Sequence, residues 1–329
     1  MTVANATRFA AEGVPYVAAD GREVVVLVVK ATFVILRDGT MVLAEEQVPV
    51  RLGDVVRDPD ANDSSVVFPS DVTLEKKAAD VVVVGEAVSP KPVRVMDVGV
   101  RIGERTVPLR VHGERVYYRA GARVAVGPAA PFERKAIVYE NAYGGATPDF
   151  QRVERRNPVG RGVAASESDL VDTKAPSIEH PAEPITGAGQ TPTPVGYGAI
   201  PAHWRPRSDL AGTYDEVWRT TRLPLLPLDF DPRFWSVAHP SMQVPSLLPR
   251  TPIAVIGMRE EGVLQIEVPE LPVVARGRTD DGRRIEARPP IDTAVIVPGE
   301  ARVELSLRAV FPLGRGRTSL REIRVDADD

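Results

Sequence analysis

The chain has 329 residues, 43% of them hydrophobic and 26% charged, with a formal charge of −4. That is apolar material enough for a large core, and so small a charge of acidic sign speaks against the basic face of a nucleic-acid binder. Cysteine is absent, which removes disulfides, thiolate catalysis and cysteine-ligated zinc.

The first twenty residues lack the charged-then-apolar layout of a secretory signal. The most apolar run, Val24–Leu36, is interrupted by Lys30 and is too rich in β-branched residues for a membrane helix, so the expected compartment is the cytoplasm. Glu23–Leu36 reads as a strand with a bulge near Lys30, because fourteen residues exceed the usual strand length. Asp38-Gly39 supplies a tight turn and Met41–Val50 returns as its partner. Ala79–Val84 has the pattern of a strand buried on both faces. Arg94–Ile102, a turn at Gly103, and a return strand with Val107, Leu109 and Val111 on one face form the clearest period-two hairpin. Phe132–Tyr139 is a further strand, leading into a turn at Asn141–Gly145.

Residues 163–194 carry no aromatic side chain and are dominated by small and polar residues; they read as a long, mobile surface loop. Thr213-Tyr214-Asp215-Glu216 has the form of a capping box, with Thr213 as cap, Glu216 reaching back, and Val217 and Trp218 facing inward. Asp231-Pro232 opens a second single turn. Two more hairpins follow, Ile253–Ile256 with Leu264–Val268 and Thr293–Val297 with Val303–Ala309, and the acidic Val325–Asp329 is expected to fray. The fold class is therefore mainly β: an antiparallel β-sandwich or packed sheets, with long ordered loops and one or two short helices.

Chemistry is hard to find. His112, His180, His203 and His239 show no metal-ligand spacing, and there is no G-x-S-x-G or phosphate-loop motif, so no metal and no cofactor is expected. Ser241 beside His239 has no recognisable orienting acid. Asp215, Glu216, Asp229 and Asp231 lie near aromatics and His203, which keeps a carbohydrate-active or other hydrolase using carboxylates near Asp215 and Asp229 as the alternative; the capping reading is the simpler one. Asn157-Pro158-Val159-Gly160-Arg161-Gly162 is either an anion-binding nest or a rigid turn.

The candidate contact residues fall in three blocks. The first is Asn141, Tyr143, Gly144 and Gly145; the second is Asn157, Pro158, Gly160, Arg161 and Gly162. The third comes from the region that carries the tryptophans and their charged neighbours: Trp204, Arg205, Tyr214, Asp215, Trp218, Asp229, Phe230 and Asp231. A Trp/Tyr/Arg mixture of this kind is typical of interface hot spots.

These blocks carry a resemblance. YENAYGGATPDF at Tyr139–Phe150, RRNPVGRG at Arg155–Gly162, PVGYGAIPAHWRPRSDLAGTYDEVW at Pro194–Trp218 and PLLPLDFDPRFWSVAHP at Pro224–Pro240 resemble the bacterial family DUF2169. AADVVVVGEAVSP at Ala78–Pro90 and IDTAVIVPGEARVELSLRA at Ile291–Ala309 add to it. The resemblance implies a single β domain over residues 16–313 with the 163–195 loop inside it, an N-terminal arm at 1–15 and a tail at 314–329. It also implies an accessory of type VI secretion: a cytoplasmic adaptor or chaperone, not an enzyme, that loads a secreted effector or PAAR-type tip protein onto the VgrG spike. Its partner would be protein, with neither nucleic acid nor membrane involved.

Overall fold

A computed structural model describes residues 1–314 and 318–327. The chain is mainly β; its described residues build packed sheets with one short α-helix, Glu216–Thr221, and several single 3-10 turns.

The largest sheet has the order Gln243–Val244, Ala79–Val83, Ile291–Val297, Arg302–Pro312, Glu23–Ile35, Ala10–Val17, with Met41–Leu43 pairing the end of Glu23–Ile35. Its neighbours run antiparallel except Ala79–Val83 beside Ile291–Val297, which are parallel. A five-stranded sheet has the order Ile178–Glu179, Arg105–His112, Val95–Ile102, Pro252–Ile256, Leu264–Glu267. A four-stranded sheet brings the two ends of the chain together: Thr2–Asn5 runs parallel to Leu320–Ala327, followed by Val273–Thr279 and Arg284–Ala287. The segments expected as arm and tail thus contain strands, and Val325–Ala327 is paired rather than frayed; residues 315–317, Asp328 and Asp329 lie outside the described residues. What holds the C-terminal strand is burial of Leu320, Ile323 and Val325 in the main core.

Strand alternation explains the layers. In Glu23–Ile35 the odd side chains Val25, Leu27, Val29, Ala31 and Phe33 enter the main core with Val98, Val100, Val107, Leu109 and Val111 of the five-stranded sheet. The even side chains Val24, Val26 and Val28 form a second apolar cluster with Val50 and Leu74. Beyond Val28 that same face turns polar, at Lys30 and Thr32, yet stays buried.

The neighbouring Arg302–Pro312 strand follows suit: Val303, Leu305 and Leu307 point to the core, while Glu304, Ser306 and Arg308 are buried on the other face. Lys30 Nζ lies 2.8 Å from Asp71 and 2.9 Å from Glu304, and Arg51 closes on Glu304 at 2.5 Å. Ser306 donates to Asp71 at 2.8 Å, and Arg308 holds Asp292 at 2.7 Å and the Asp71 carbonyl at 2.6 Å. This ionic layer clamps the 44–76 segment, which has little strand of its own, onto the sheet. Lys30 pairs in register with Ala10 and Ser306, so no bulge occurs there; the strand is simply long and paired on both sides.

Other expectations divide. The hairpins at Gly103, at residues 257–263 and at residues 298–301 form as read, and Ala79–Val83 is wholly buried. The return after Asp38-Gly39 is only Met41–Leu43, and Phe132–Ala136 gives way to a 3-10 turn at Tyr139–Asn141. Residues 163–194 are not a free loop. Lys174–Ala175 and Ile178–Glu179 each add a strand to a sheet, and Leu170, Ala175, Ser177, Ile178 and Ile185 are buried. The buried Arg115 guanidinium fastens this stretch, donating to the Pro176 carbonyl at 3.0 Å and to Glu179 at 2.9 Å.

Candidate partner-binding surface

The two glycine-rich blocks lock into each other. Tyr143–Gly144 and Arg161–Gly162 form a short parallel ladder. Asn157, fully buried between them, donates from Nδ2 to the carbonyls of Tyr139 at 2.8 Å and Tyr143 at 2.9 Å, and its own carbonyl accepts from Gly145 N at 2.8 Å. Asn141 is likewise turned inward, donating to the Ala136 carbonyl at 2.9 Å. Gly144 has a φ of +150° and lies so close to Asn157 that a Cβ there would sit 2.1 Å from the Asn157 carbonyl oxygen. A Cβ on Gly160 would meet the Asn157 amide nitrogen at 2.4 Å.

The two successive amides at the centre of the block, Gly160 and Arg161, are already taken. Gly160 N donates to Asn157 O, Arg161 N to Ala142 O at 2.9 Å, and Val163 N to Gly144 O. The Asn157–Gly162 block is therefore the rigid turn, with Pro158 part-exposed at its bend. Arg161 reaches a charged partner, Glu114. Beside the lock lies an open cleft of about 280 Å³ lined by Tyr143, Arg152, Glu154, Gly162, Glu167 and Gln190.

The tryptophan block splits. Trp204 is fully buried, edge-on to Tyr139 at 5.6 Å, with its indole donating to Asp63 at 2.9 Å. It is core, with the exposed Arg205 paired to Asp209 at its rim. Trp235 and Phe230 are part-buried and packed on one another and on Phe234. The stretch from Gly212 to Phe230 is a different matter.

Helix Glu216–Thr221 in that stretch buries no residue. Its cap is Asp215, which accepts from Trp218 N at 2.8 Å; the expected cap Thr213 instead donates to Asp229 at 2.7 Å through its hydroxyl, and Glu216 pairs with Arg219 rather than reaching back. Trp218 lies across the following chain, donating to the Leu225 carbonyl at 2.8 Å and stacked edge-on with Tyr214 at 4.7 Å. Arg222 ties the excursion down by donating to the Ala19 carbonyl at 2.8 Å. Val217 does not face inward. Tyr214 is 53% exposed, Val217 67%, Leu223 58% and Leu228 85%. Single exposed apolar residues are ordinary; here four stand exposed on one short, hydrogen-bonded excursion.

The carboxylates of the same region do local work. Asp229 is held below its ordinary range by the amide and hydroxyl of Thr213, and Asp231 by the side chain and amide of Arg233. His203 bonds to Asp63 at 2.9 Å, and His112 to Glu179 at 2.8 Å, pairings that span too much sequence to be read from spacing. Among the described residues no group of three His, Asp or Glu side chains could hold a metal ion.

His239 caps the turn at Pro240–Met242, its Nδ1 2.7 Å from the Ser241 hydroxyl. Burial pushes its pKa down to about 4, against a bond to the Pro194 carbonyl. A histidine that protonates less readily folded than unfolded contributes stability that is complete above its unfolded pKa, near 6.5, and is lost as pH falls toward 4. Wild type should lose on the order of 2 kcal/mol between pH 7 and 4.5 through this group. His239→Asn should flatten that slope in urea melts taken across the range; an unchanged slope would show that His239 is not responsible.

Sequence reading missed the cations around Glu114 and the ionic layer at Lys30. The second had a visible signal, since Glu304, Ser306 and Arg308 alternate with Val303, Leu305 and Leu307 inside an otherwise apolar strand. The first had none, because Glu114, Lys135, Arg161 and Lys174 meet only in three dimensions.

A family model described as an uncharacterised protein conserved in bacteria, DUF2169, matches residues 20–308. The chain belongs to that family. No curated protein and no solved structure matches it. Among the described residues no helix is long and apolar enough to cross a membrane.

Proposed function

We propose that this DUF2169 protein is a cytoplasmic accessory of type VI secretion, an adaptor or chaperone that grips a secreted effector or PAAR-type tip protein and assists its loading onto the VgrG spike. The observation that carries the binding reading is the Gly212–Phe230 excursion, where Tyr214, Val217, Leu223 and Leu228 stand exposed on a scaffold fixed by Trp218 and Arg222. Aromatic and aliphatic groups held in place before binding lose little entropy when a partner covers them. The glycine lock and Trp204 are buried and belong to the framework rather than to this surface.

The hydrolase alternative draws no support from the same region. An acid catalyst needs a carboxyl whose pKa is raised, whereas Asp229 and Asp231 are held low by Thr213 and Arg233, and Asp215 is spent on the helix amide of Trp218. The test is co-purification from the native bacterium together with deletion of the gene. Recovery of an effector, PAAR-type or VgrG protein, with that effector no longer secreted on deletion, is the expected result. Normal secretion in the deletion strain would refute the reading.

A further inference from the structure

Glu114, in the turn between the Arg105–His112 and Arg115–Ala120 strands, is met by three cations from three separate strands. Lys135 comes from Phe132–Ala136 and bonds its Oε1; Arg161 comes from Arg161–Gly162 and stands 3.4 Å from its Oε2; Lys174 comes from Lys174–Ala175 and stands 3.2 Å from the same oxygen. Among the described residues none of the three has another ion-pair partner. One negative charge thus faces three positive ones in a chain that is acidic as a whole. Burial raises the Glu114 pKa, but Lys135 and Arg161 outweigh it and hold the group at about 2.

The cations are not free to drift apart. Arg161 is fixed by the ladder with Tyr143, Lys135 by pairing with the Glu86–Val93 strand, and Lys174 by pairing with Val116. Lys135 and Arg161 are largely buried, at 13% and 22% side-chain exposure, while Glu114 at 38% and Lys174 at 65% open to solvent. Partly desolvated positive charge that stays uncompensated attracts an anion more strongly than the same charge in bulk water.

We propose that Lys135, Arg161 and Lys174 form a docking point for an acidic polypeptide segment, with Glu114 as a built-in competitor that a partner carboxylate joins or displaces. The chemistry is that of a carboxylate because a carboxylate already sits there with satisfied geometry. Three charges converging on one spot suit one or two acidic side chains. A nucleic acid would call for an extended basic stripe. The proposal rests on the reading of this chain as a binding protein and adds the chemistry of its partner.

The probe is a fluorescein-labelled peptide of ten alternating Glu and Asp residues, followed by anisotropy against the full chain at low salt. Wild type should bind, with affinity falling as salt rises. Glu114→Gln should tighten binding by about 3- to 10-fold, because it removes the competitor and leaves all three cations. Lys135→Gln and Lys174→Gln should each weaken it by at least about 3-fold. Thermal melts of the three variants confirm that each is folded before its affinity is read. A Glu114→Gln protein that binds no more tightly than wild type overturns the proposal, as does equal binding by wild type and Lys174→Gln. Tighter binding of a single-stranded oligonucleotide than of the peptide would also overturn it. Because the probe is synthetic, its failure leaves capture of a natural partner by the Gly212–Phe230 surface untouched.

Discussion

Lys30→Met should cost the fold about 3–5 kcal/mol, the usual penalty for breaking a buried ion pair and leaving its partner charges unpaired. Lys30 is fully buried, and Asp71 and Glu304, its two partners within 3 Å, are almost as inaccessible. Methionine fills most of the volume, so the loss is electrostatic rather than a cavity. Glu304 keeps Arg51, but among the described residues Asp71 keeps only Ser306 and the Arg51 amide as donors. In a chain of this size the melting midpoint should fall by roughly 5 °C. Adding Asp71→Asn to Lys30→Met should recover part of the loss, since an amide is cheaper to bury than an uncompensated carboxylate. Calorimetry on the two variants decides the matter. A Lys30→Met midpoint within about 2 °C of wild type would mean that the layer is not what fastens the 44–76 segment.

Gly144→Ala should be worse still. Its Cβ would fall 2.1 Å from the Asn157 backbone carbonyl oxygen, at a φ of +150° that residues with side chains rarely adopt. Nothing there can rotate away, so the parallel ladder between Tyr143–Gly144 and Arg161–Gly162 must open. A loss above about 4 kcal/mol, or failure to accumulate as soluble protein, is expected. Gly53→Ala is the matched control: no atom lies within 4 Å of its added Cβ, and the change should stay within about 0.5 kcal/mol. Urea melts of both variants against wild type are sufficient. A Gly144→Ala protein that melts like Gly53→Ala would show that the lock is looser than its geometry indicates.

The two glycine positions also show where sequence reading stops. Glycine-rich, amide-rich blocks look alike whether they bare their backbone to a ligand or pack it against another loop. Only the placement of Asn157 between Tyr139 and Tyr143 separates the two, and that depends on contacts across many residues. The hairpins were legible because each is local: period-two alternation and a turn residue lie within one short window. Residues 163–194 misled for the opposite reason. Their strands exist through long-range pairing with Arg105–His112 and Arg115–Ala120, and the composition of the segment carries no trace of it. At the helix, Thr213 and Asp215 both suit a cap by type. Asp215 won because Asp229, sixteen residues on, engages Thr213 instead. Of the expected contact residues, Asn141, Tyr143, Gly144, Gly145, Asn157 and Trp204 turned out to be buried framework. Tyr214, Asp215, Trp218 and Asp229 lie on the excursion, whose exposed aliphatic residues a hot-spot composition argument passes over.

The most direct measurement compares affinity capture by wild type and by the double variant Val217→Asp/Leu228→Asp, each used as bait in the native bacterium with the recovered effector, PAAR-type or VgrG protein quantified. Both side chains are largely in solvent, so the variant should melt within about 2 °C of wild type while capture falls at least about tenfold. Undiminished capture by a folded double variant would contradict the claim that this chain grips its partner through the Gly212–Phe230 surface.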